Sequence, residues 1–228
     1  MVGRRTYDDA CAAAHALDLV GERWALLVVR ELLLGPKRFT DLRAGMPAAS
    51  PNVLSQRLRD LEASGVVRRR RLAPPAGSRV YELTEWGREL GPLVHELARW
   101  GSRSPALPRG GPLSADALAL AIRTRFDASD AAGFHAAITL ELGEDCLAVS
   151  VADGRIDVVR GAPHPYDAVD AVVRTAPAVL AAVLWDGRPL TAAQASGELT
   201  VRGATEVVRR FATLFRAPRA LAPEAANA

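Results

Sequence analysis

Apolar positions return at helical spacing between Pro51 and Leu61. Val53, Leu54, Leu58 and Leu61 make one stripe, while Asn52, Ser55, Gln56, Arg57 and Arg59 occupy the rest of the surface. The pattern predicts an amphipathic helix whose polar face carries short or planar hydrogen-bonding groups. Both ends are marked. The Ser50 hydroxyl can accept an orphan backbone N–H, Pro51 at the first helical position loses no hydrogen bond, and Gly65 suits a left-handed stop. A shorter helix precedes it from Phe39 and breaks at Gly45-Met46-Pro47. After Gly65, Val66 and Val67 begin a strand through Arg68–Arg71, and Arg79–Leu83 returns, with Pro74, Pro75 and Gly77 at the tip.

Helices flank this core pattern. Residues 8–18 place Ala10, Ala13, Ala14 and Leu17 on one side, and Glu22 to Leu34 carries Trp24, Leu27, Val28, Glu31 and Leu32 before a Gly35-Pro36 stop. Thr84 can cap a helix from Glu85 to Trp100, striped by Leu90, Leu93, Val94, Leu97 and Trp100. Residues 1–101 therefore read as a mainly α domain, followed by a Gly/Ser/Pro-rich linker at 102–112. Beyond it Ala115–Phe126 reads as a helix, and Phe134–Leu142, Cys146–Val151 and Arg155–Val159 alternate at period two as a meander. Tyr166–Thr175 and Pro177–Asp186 read as helices, Gly197–Val201 as a strand, and Ala204–Phe215 as a closing helix. Residues 113–217 are thus expected to be an α+β domain, an antiparallel sheet packed by helices, with a frayed tail at 218–228.

Composition is globular, at 49% hydrophobic and 24% charged residues. The net charge of +3 conceals an asymmetry: residues 1–104 hold 17 Lys and Arg against 12 Asp and Glu, and the remainder 12 against 14. The basic excess sits with the polar-faced helix and the arginine hairpin, as contact with phosphates requires. The longest apolar runs, such as Ala176–Trp185, are too short to span a bilayer, and with no apolar, positively headed N-terminal signal the expected location is cytoplasmic. Two cysteines form neither a metal-type spacing nor a disulfide framework.

A helix–turn–helix sets its second helix in the DNA major groove with its N-terminal residues nearest the bases. The DNA-binding candidates follow. Ser50, Asn52, Ser55 and Gln56 are placed for base edges, since Asn and Gln can pair bidentately with adenine. Arg57 and Arg59 suit phosphate, or an intrahelical bridge such as Arg59 with Glu62. Arg38 and Thr40 open the preceding helix as phosphate candidates. Successive arginines of the 68–71 run face opposite sides, so Arg70, Arg71 and Arg79 are expected to reach backbone or minor groove; a solvated edge that blocks aggregation is the alternative. No Ser/His/Asp set, phosphate loop or dinucleotide fingerprint stands in a supporting context, so no enzyme activity and no cofactor are expected. His95, His135 and His164 lack companions at ligand spacing, and no metal is expected.

Several dispersed motifs now line up: Cys11, Gly21-Glu22-Arg23-Trp24, Leu32-Leu33-Leu34-Gly35, Arg38-Phe39-Thr40-Asp41-Leu42, Ser50 through Leu58, Leu61-Glu62 and Tyr81 through Gly87. Over about residues 8–101 they resemble the HxlR family of winged helix–turn–helix bacterial transcription regulators. Ala12 departs from that pattern, where many relatives carry proline. The resemblance implies double-stranded DNA as a partner, and that some members sense oxidants or electrophiles through an N-terminal cysteine. Cys11 is the redox candidate here, with His15 four residues on able to lower its thiol pKa; a small buried residue packing beneath the next helix is the alternative. The apolar faces of 8–18 and 85–100 exceed what one small domain buries, so a homodimer on a palindromic operator is expected.

The second domain resembles the sterol carrier protein 2-like fold over about 115–216, on Leu147–Gly154, Ala176–Trp185 with Asp186-Gly187, Leu190–Ala195, and Gly197–Gly203 leading to Phe211 and Phe215. Such domains enclose an apolar cavity, which implies a hydrophobic small molecule as effector. Phe134, Leu140, Val149, Leu180, Leu184, Trp185 and Phe211 are the ligand-binding candidates, against the alternative of a solid core. A lipid or small-molecule carrier that uses its N-terminal module only to dimerise stays open.

Overall fold

The striped segment forms helix α4 (Pro51–Ala63) in a computed structural model that describes residues 6–73, 77–108, 110–161 and 168–215. Ser50 Oγ accepts the Val53 N–H at 3.4 Å, and Gly65 takes a left-handed φ of 74° that a Cβ would strain. Leu54, Leu58 and Leu61 are fully buried, each removal from water contributing about 1.5–3 kcal/mol. Val53, expected in the same stripe, is exposed instead.

Ahead of α4 come α1 (Ala12–Val20), α2 (Ala25–Leu32) and α3 (Phe39–Gly45). Two expected boundaries move. The first helix starts at Ala12 rather than residue 8, with Cys11 at its N-cap, and the second starts after Trp24, which adopts a left-handed φ of 77°. Behind α4, β1 (Val67–Arg71) and β2 (Arg79–Leu83) pair antiparallel from Val67↔Leu83 to Arg71↔Arg79, and Lys37 adds a single bridge to Tyr81 on the free edge of β2. The expected hairpin tip at Pro74 and Pro75 lies outside the described residues. Thr84 caps α5 (Glu85–Arg88) through the Gly87 N–H at 2.9 Å. The helix expected from 85 to 100 is interrupted at Glu89 and resumes as α6 (Leu90–Gly101). At Gly87 the chain runs close to the residue before β1: a Cβ there would lie 2.1 Å from the Val66 carbonyl oxygen.

The chain divides into two compact units, Met1–Val94 and His95–Ala228. In the second, α7 (Ala115–Arg125) and a short 3-10 turn lead into β3 (Ala136–Leu142), β4 (Asp145–Ala152) and β5 (Arg155–Arg160), the meander expected from alternation. The expected helix over Tyr166–Thr175 is corrected at its described end: Ala171–Thr175 is strand β6, parallel to β3 through Ile138↔Ala171 to Glu141↔Arg174. Ala171, Val172 and Val173 are all buried, and a strand covered on both faces loses the alternation that would reveal it. Helices α8 (Pro177–Trp185) and α9 (Leu190–Ala195), strand β7 (Leu199–Gly203) and helix α10 (Thr205–Ala212) follow. The sheet order is β5-β4-β3-β6-β7, antiparallel except at β3–β6, so the α+β sheet is mixed. The tail expected from 218 lies outside the described residues.

Candidate nucleic-acid interface

The wing is anchored to the helical core by buried charge. Glu31 of α2 is fully buried, yet its carboxylate accepts from Lys37 Nζ at 2.7 Å and from the Arg30 guanidinium at 2.7 Å. Lys37 then exchanges both backbone hydrogen bonds with Tyr81, at 2.9 and 2.8 Å, which fixes β2 beside the start of α3. Gly45 makes room for this arrangement, since a Cβ there would stand 2.1 Å from Glu31 Oε2. Glu31 sits at an apolar position of the second helix and Lys37 is the chain's single lysine. Those two facts were the sequence's available hints of a buried ion pair.

Arg38 and Thr40 are exposed at the N-terminus of α3. The Arg38 guanidinium binds Asp41 at 3.0 Å, and Thr40 Oγ1 donates to the same carboxylate at 3.2 Å. Partial burial pushes the Asp41 carboxyl up, but the hydrogen bonds from the Arg38 side chain and backbone outweigh it and leave its pKa lowered.

On α4, Ser50, Asn52 and Gln56 are exposed and Ser55 is half-buried. Gln56 Nε2 donates to Asp60 at 2.8 Å, and its Oε1 accepts from Arg59 at 2.6 Å. Arg59 therefore bonds Gln56, where the sequence suggested Glu62. Arg57 lies differently from its expected outward pose. Its side chain is 16% exposed and turns toward Asp60 at 3.2 Å and Glu22 at 3.7 Å, because the 22–57 pairing that the sequence does not display draws it in.

All four wing arginines of β1 are exposed. Arg68 and Arg70 share the buried Glu82 carboxylate at 2.7 and 3.0 Å. On the opposite face Arg69 lies over the Tyr81 ring at 5.4 Å and reaches Glu62 of α4 at 3.0 Å, while Arg71 Nε donates to the Gly77 carbonyl oxygen at 3.1 Å opposite exposed Arg79. The Arg69–Glu62 pair joins wing and helix into one surface.

Elsewhere in this unit, Cys11 is exposed, not packed beneath α2. Backbone N–H groups of Ala13 and Ala14 lower its thiol pKa, so the helix start does what the sequence assigned to His15. In the second unit Leu140, Val149, Leu180, Leu184 and Phe211 are buried, with Phe134 and Trp185 half-buried. Phe215 gathers an edge-to-face cluster, 4.9 Å from Phe211, 6.2 Å from Trp185 and 6.4 Å from Phe126 between ring centroids. Arg125 lies over Trp185 at 4.7 Å, and burial lowers its pKa. Cys146 is half-buried, and burial raises its thiol pKa. His135 stands 3.5 Å from Asp153, and His164 lies outside the described residues.

Residues 19–106 match the HxlR-like helix-turn-helix family. The HTH-type transcriptional regulator YvaP of Bacillus subtilis is 41% identical over 80 residues, which are 35% of this chain and 73% of that one. The chain belongs to the HxlR-like helix-turn-helix family. A second relative, the HTH-type transcriptional regulator sll1512 of Synechocystis, is 38% identical over 93 residues, covering 40% of this chain and 68% of its own. Among solved structures, the reduced form of the transcriptional regulator YodB from B. subtilis is 31% identical over 43% of this chain and 97% of that chain, with a TM-score of 0.38. Residues 120–216 match the SCP-2 sterol transfer family. The protein is thus an HxlR-like, DNA-binding transcription regulator joined to an SCP-2 domain. No helix among the described residues is long and apolar enough to cross a membrane.

Proposed function

We propose that this HxlR-like regulator binds a palindromic operator as a homodimer, with α4 in the major groove and the β1–β2 wing on the flanking backbone. The observation that carries the reading is the Arg69–Glu62 link, which presents the polar stripe of α4 and the wing cations as one surface. A dimer supplies the second copy of that surface. Leu93, Leu97 and Trp100 recur at helical spacing on α6 and are exposed, an apolar stripe suited to a two-fold partner, and Leu17 on α1 is exposed as well. A hydrophobic small molecule in the SCP-2 domain is the effector, and it regulates only by binding one DNA-affinity state better than the other. Nothing in this function calls for catalysis.

Selection of bound duplexes from a random pool, followed by footprinting, tests the proposal. A palindrome whose half-sites lie about one helical turn apart, ~34 Å, is expected. Absence of any enriched sequence would overturn it, and a lipid-binding protein with no operator would restore the carrier reading. A second reading concerns control. Exposed Cys11 with its lowered thiol pKa favours thiol chemistry as the switch. Diamide treatment should then modify Cys11 and release operator; an unmodified Cys11 removes the switch.

A further inference from the structure

Resting on the operator-binding reading, we infer that Arg59 is the specificity-determining residue of α4, that its target is a guanine in the major groove, and that Gln56, Asp60, Arg57 and Glu22 are the brace that aims it. The chain of contacts is continuous. Glu22, in the connection between α1 and α2, meets Arg57 at 3.7 Å; Arg57 meets Asp60 at 3.2 Å. Asp60 accepts from Gln56 Nε2 at 2.8 Å, and Gln56 Oε1 accepts from Arg59 at 2.6 Å. Three of these links join residues three or four apart, which is the spacing at which neighbours on a helix surface meet. The fourth ties the surface to a different part of the fold.

The consequence for recognition is chemical. Bidentate pairing with adenine needs the oxygen and the NH2 group of an amide together, and in Gln56 both edges are already engaged. Gln56 is therefore spent as a support. Arg59 is exposed and, among the described residues, its hydrogen bond to Gln56 engages one of its five N–H donors. A planar fork held by a neighbour loses little freedom when it binds, and the guanine N7 and O6 acceptors are the base edge that matches it. Asn52 and Arg59 lie seven residues apart, two turns along the same stripe, so guanine reading by Arg59 extends the face that Asn52 opens. Arg57 cannot substitute, because its guanidinium is largely buried and faces the two carboxylates.

The test uses the full chain and the duplex that the wild-type protein enriches from a random pool. Each guanine of the half-site is replaced in turn by adenine or by 7-deazaguanine, which lacks the N7 acceptor. Wild type should lose about 10- to 100-fold affinity at one guanine. Arg59→Ala should be indifferent to base identity there, while Arg59→Lys, which keeps the charge without the fork, should restore the salt dependence and not the guanine preference. Asp60→Asn and Glu22→Gln should lower the ratio of operator to unrelated-duplex affinity. A brace that only stabilises the fold would lower both affinities together with the melting temperature, and that result overturns the positioning role. Equal losses by Arg59→Ala on every sequence make Arg59 a phosphate contact and overturn the assignment, as does an adenine preference abolished by Gln56→Ala. If wild type enriches no sequence, the operator-binding reading fails first; if it enriches one that Arg59→Ala still reads, this inference alone fails.

Discussion

The two units place their chemistry on opposite sides of their surfaces. In Met1–Val94 the informative groups are outside: Arg59, Arg70, Arg71 and Arg79 are exposed on elements whose inner faces hold Leu54, Leu58, Leu61 and Val80. In His95–Ala228 they are inside, with Phe211 buried against Phe215 and Leu140, Val149 and Leu180 closed over by the fold. A surface that reads DNA must spend its cations outward, where solvent keeps desolvation small. The second unit keeps its apolar side chains away from water, which is what burial of a core demands. Each unit also buries a charge cluster that ties separate elements together. Glu31 with Lys37 and Arg30 serves the first, and Asp116 of α7 with Arg160 of β5 and Asp145 of β4 serves the second.

The strongest way to sharpen this contrast is to break each interior separately. Glu31→Ala removes the carboxylate that neutralises buried Lys37 and should cost about 3–5 kcal/mol. Phe211→Ala should cost a similar ~3–5 kcal/mol in the other unit. If the units are independent, thermal melting monitored calorimetrically will show each variant lowering a different transition. A single shared shift would contradict the division.

Gly45→Ala should come next. The added methyl would stand 2.1 Å from Glu31 Oε2, and the overpacking cost is about 1–3 kcal/mol, visible as a lowered denaturation midpoint. Its effect should nearly vanish in a Glu31→Ala background, because the clash and the ion pair share one carboxylate.

Smaller effects separate outside from inside. Arg70→Ala or Arg71→Ala should weaken binding to all duplexes and lower the slope of log affinity against log salt by about one each; melting should stay unchanged in Arg71→Ala and fall slightly in Arg70→Ala, which takes one of two cations from the buried Glu82 carboxylate. The pH response of the second unit should be weaker still. His95 stands 3.3 Å from Thr124 Oγ1, whose proton is donated to the Leu120 carbonyl at 2.7 Å, so His95 Nδ1 is assigned as the donor. Burial and then the Arg123 charge lower the His95 pKa, against a smaller opposing pull from Glu96. The folded state consequently takes up this proton less readily than the unfolded chain. Stability from this group is present above about pH 6.5 and declines as pH falls below it, and His95→Gln should flatten that decline in urea titrations.

The same contrast explains what the sequence disclosed. α4 was legible because its cap, stripe and stop are local signals, and the wing because two short strands flank Pro and Gly turn residues. Arg57 was not, since its pose depends on Glu22, thirty-five residues away in sequence and unmarked by any pattern. Strand β6 looked helical because both of its faces are covered, and Arg68 and Arg70 gave no sign that Glu82 would hold them. Motif and resemblance pointed to the exposed surface of the first unit; in the second, Leu140, Val149, Leu180 and Phe211 are buried, and an apolar run in the sequence reads the same whether it fills a core or lines a cavity.

Arginine modification with phenylglyoxal, read by mass spectrometry on the full chain with and without its selected duplex, tests the central claim most directly. Arg59, Arg70, Arg71 and Arg79 should be protected by DNA, while exposed Arg155 and Arg209 of the second unit react at unchanged rates. Protection of Arg155 and Arg209 with continued reaction at α4 and the wing would contradict the account.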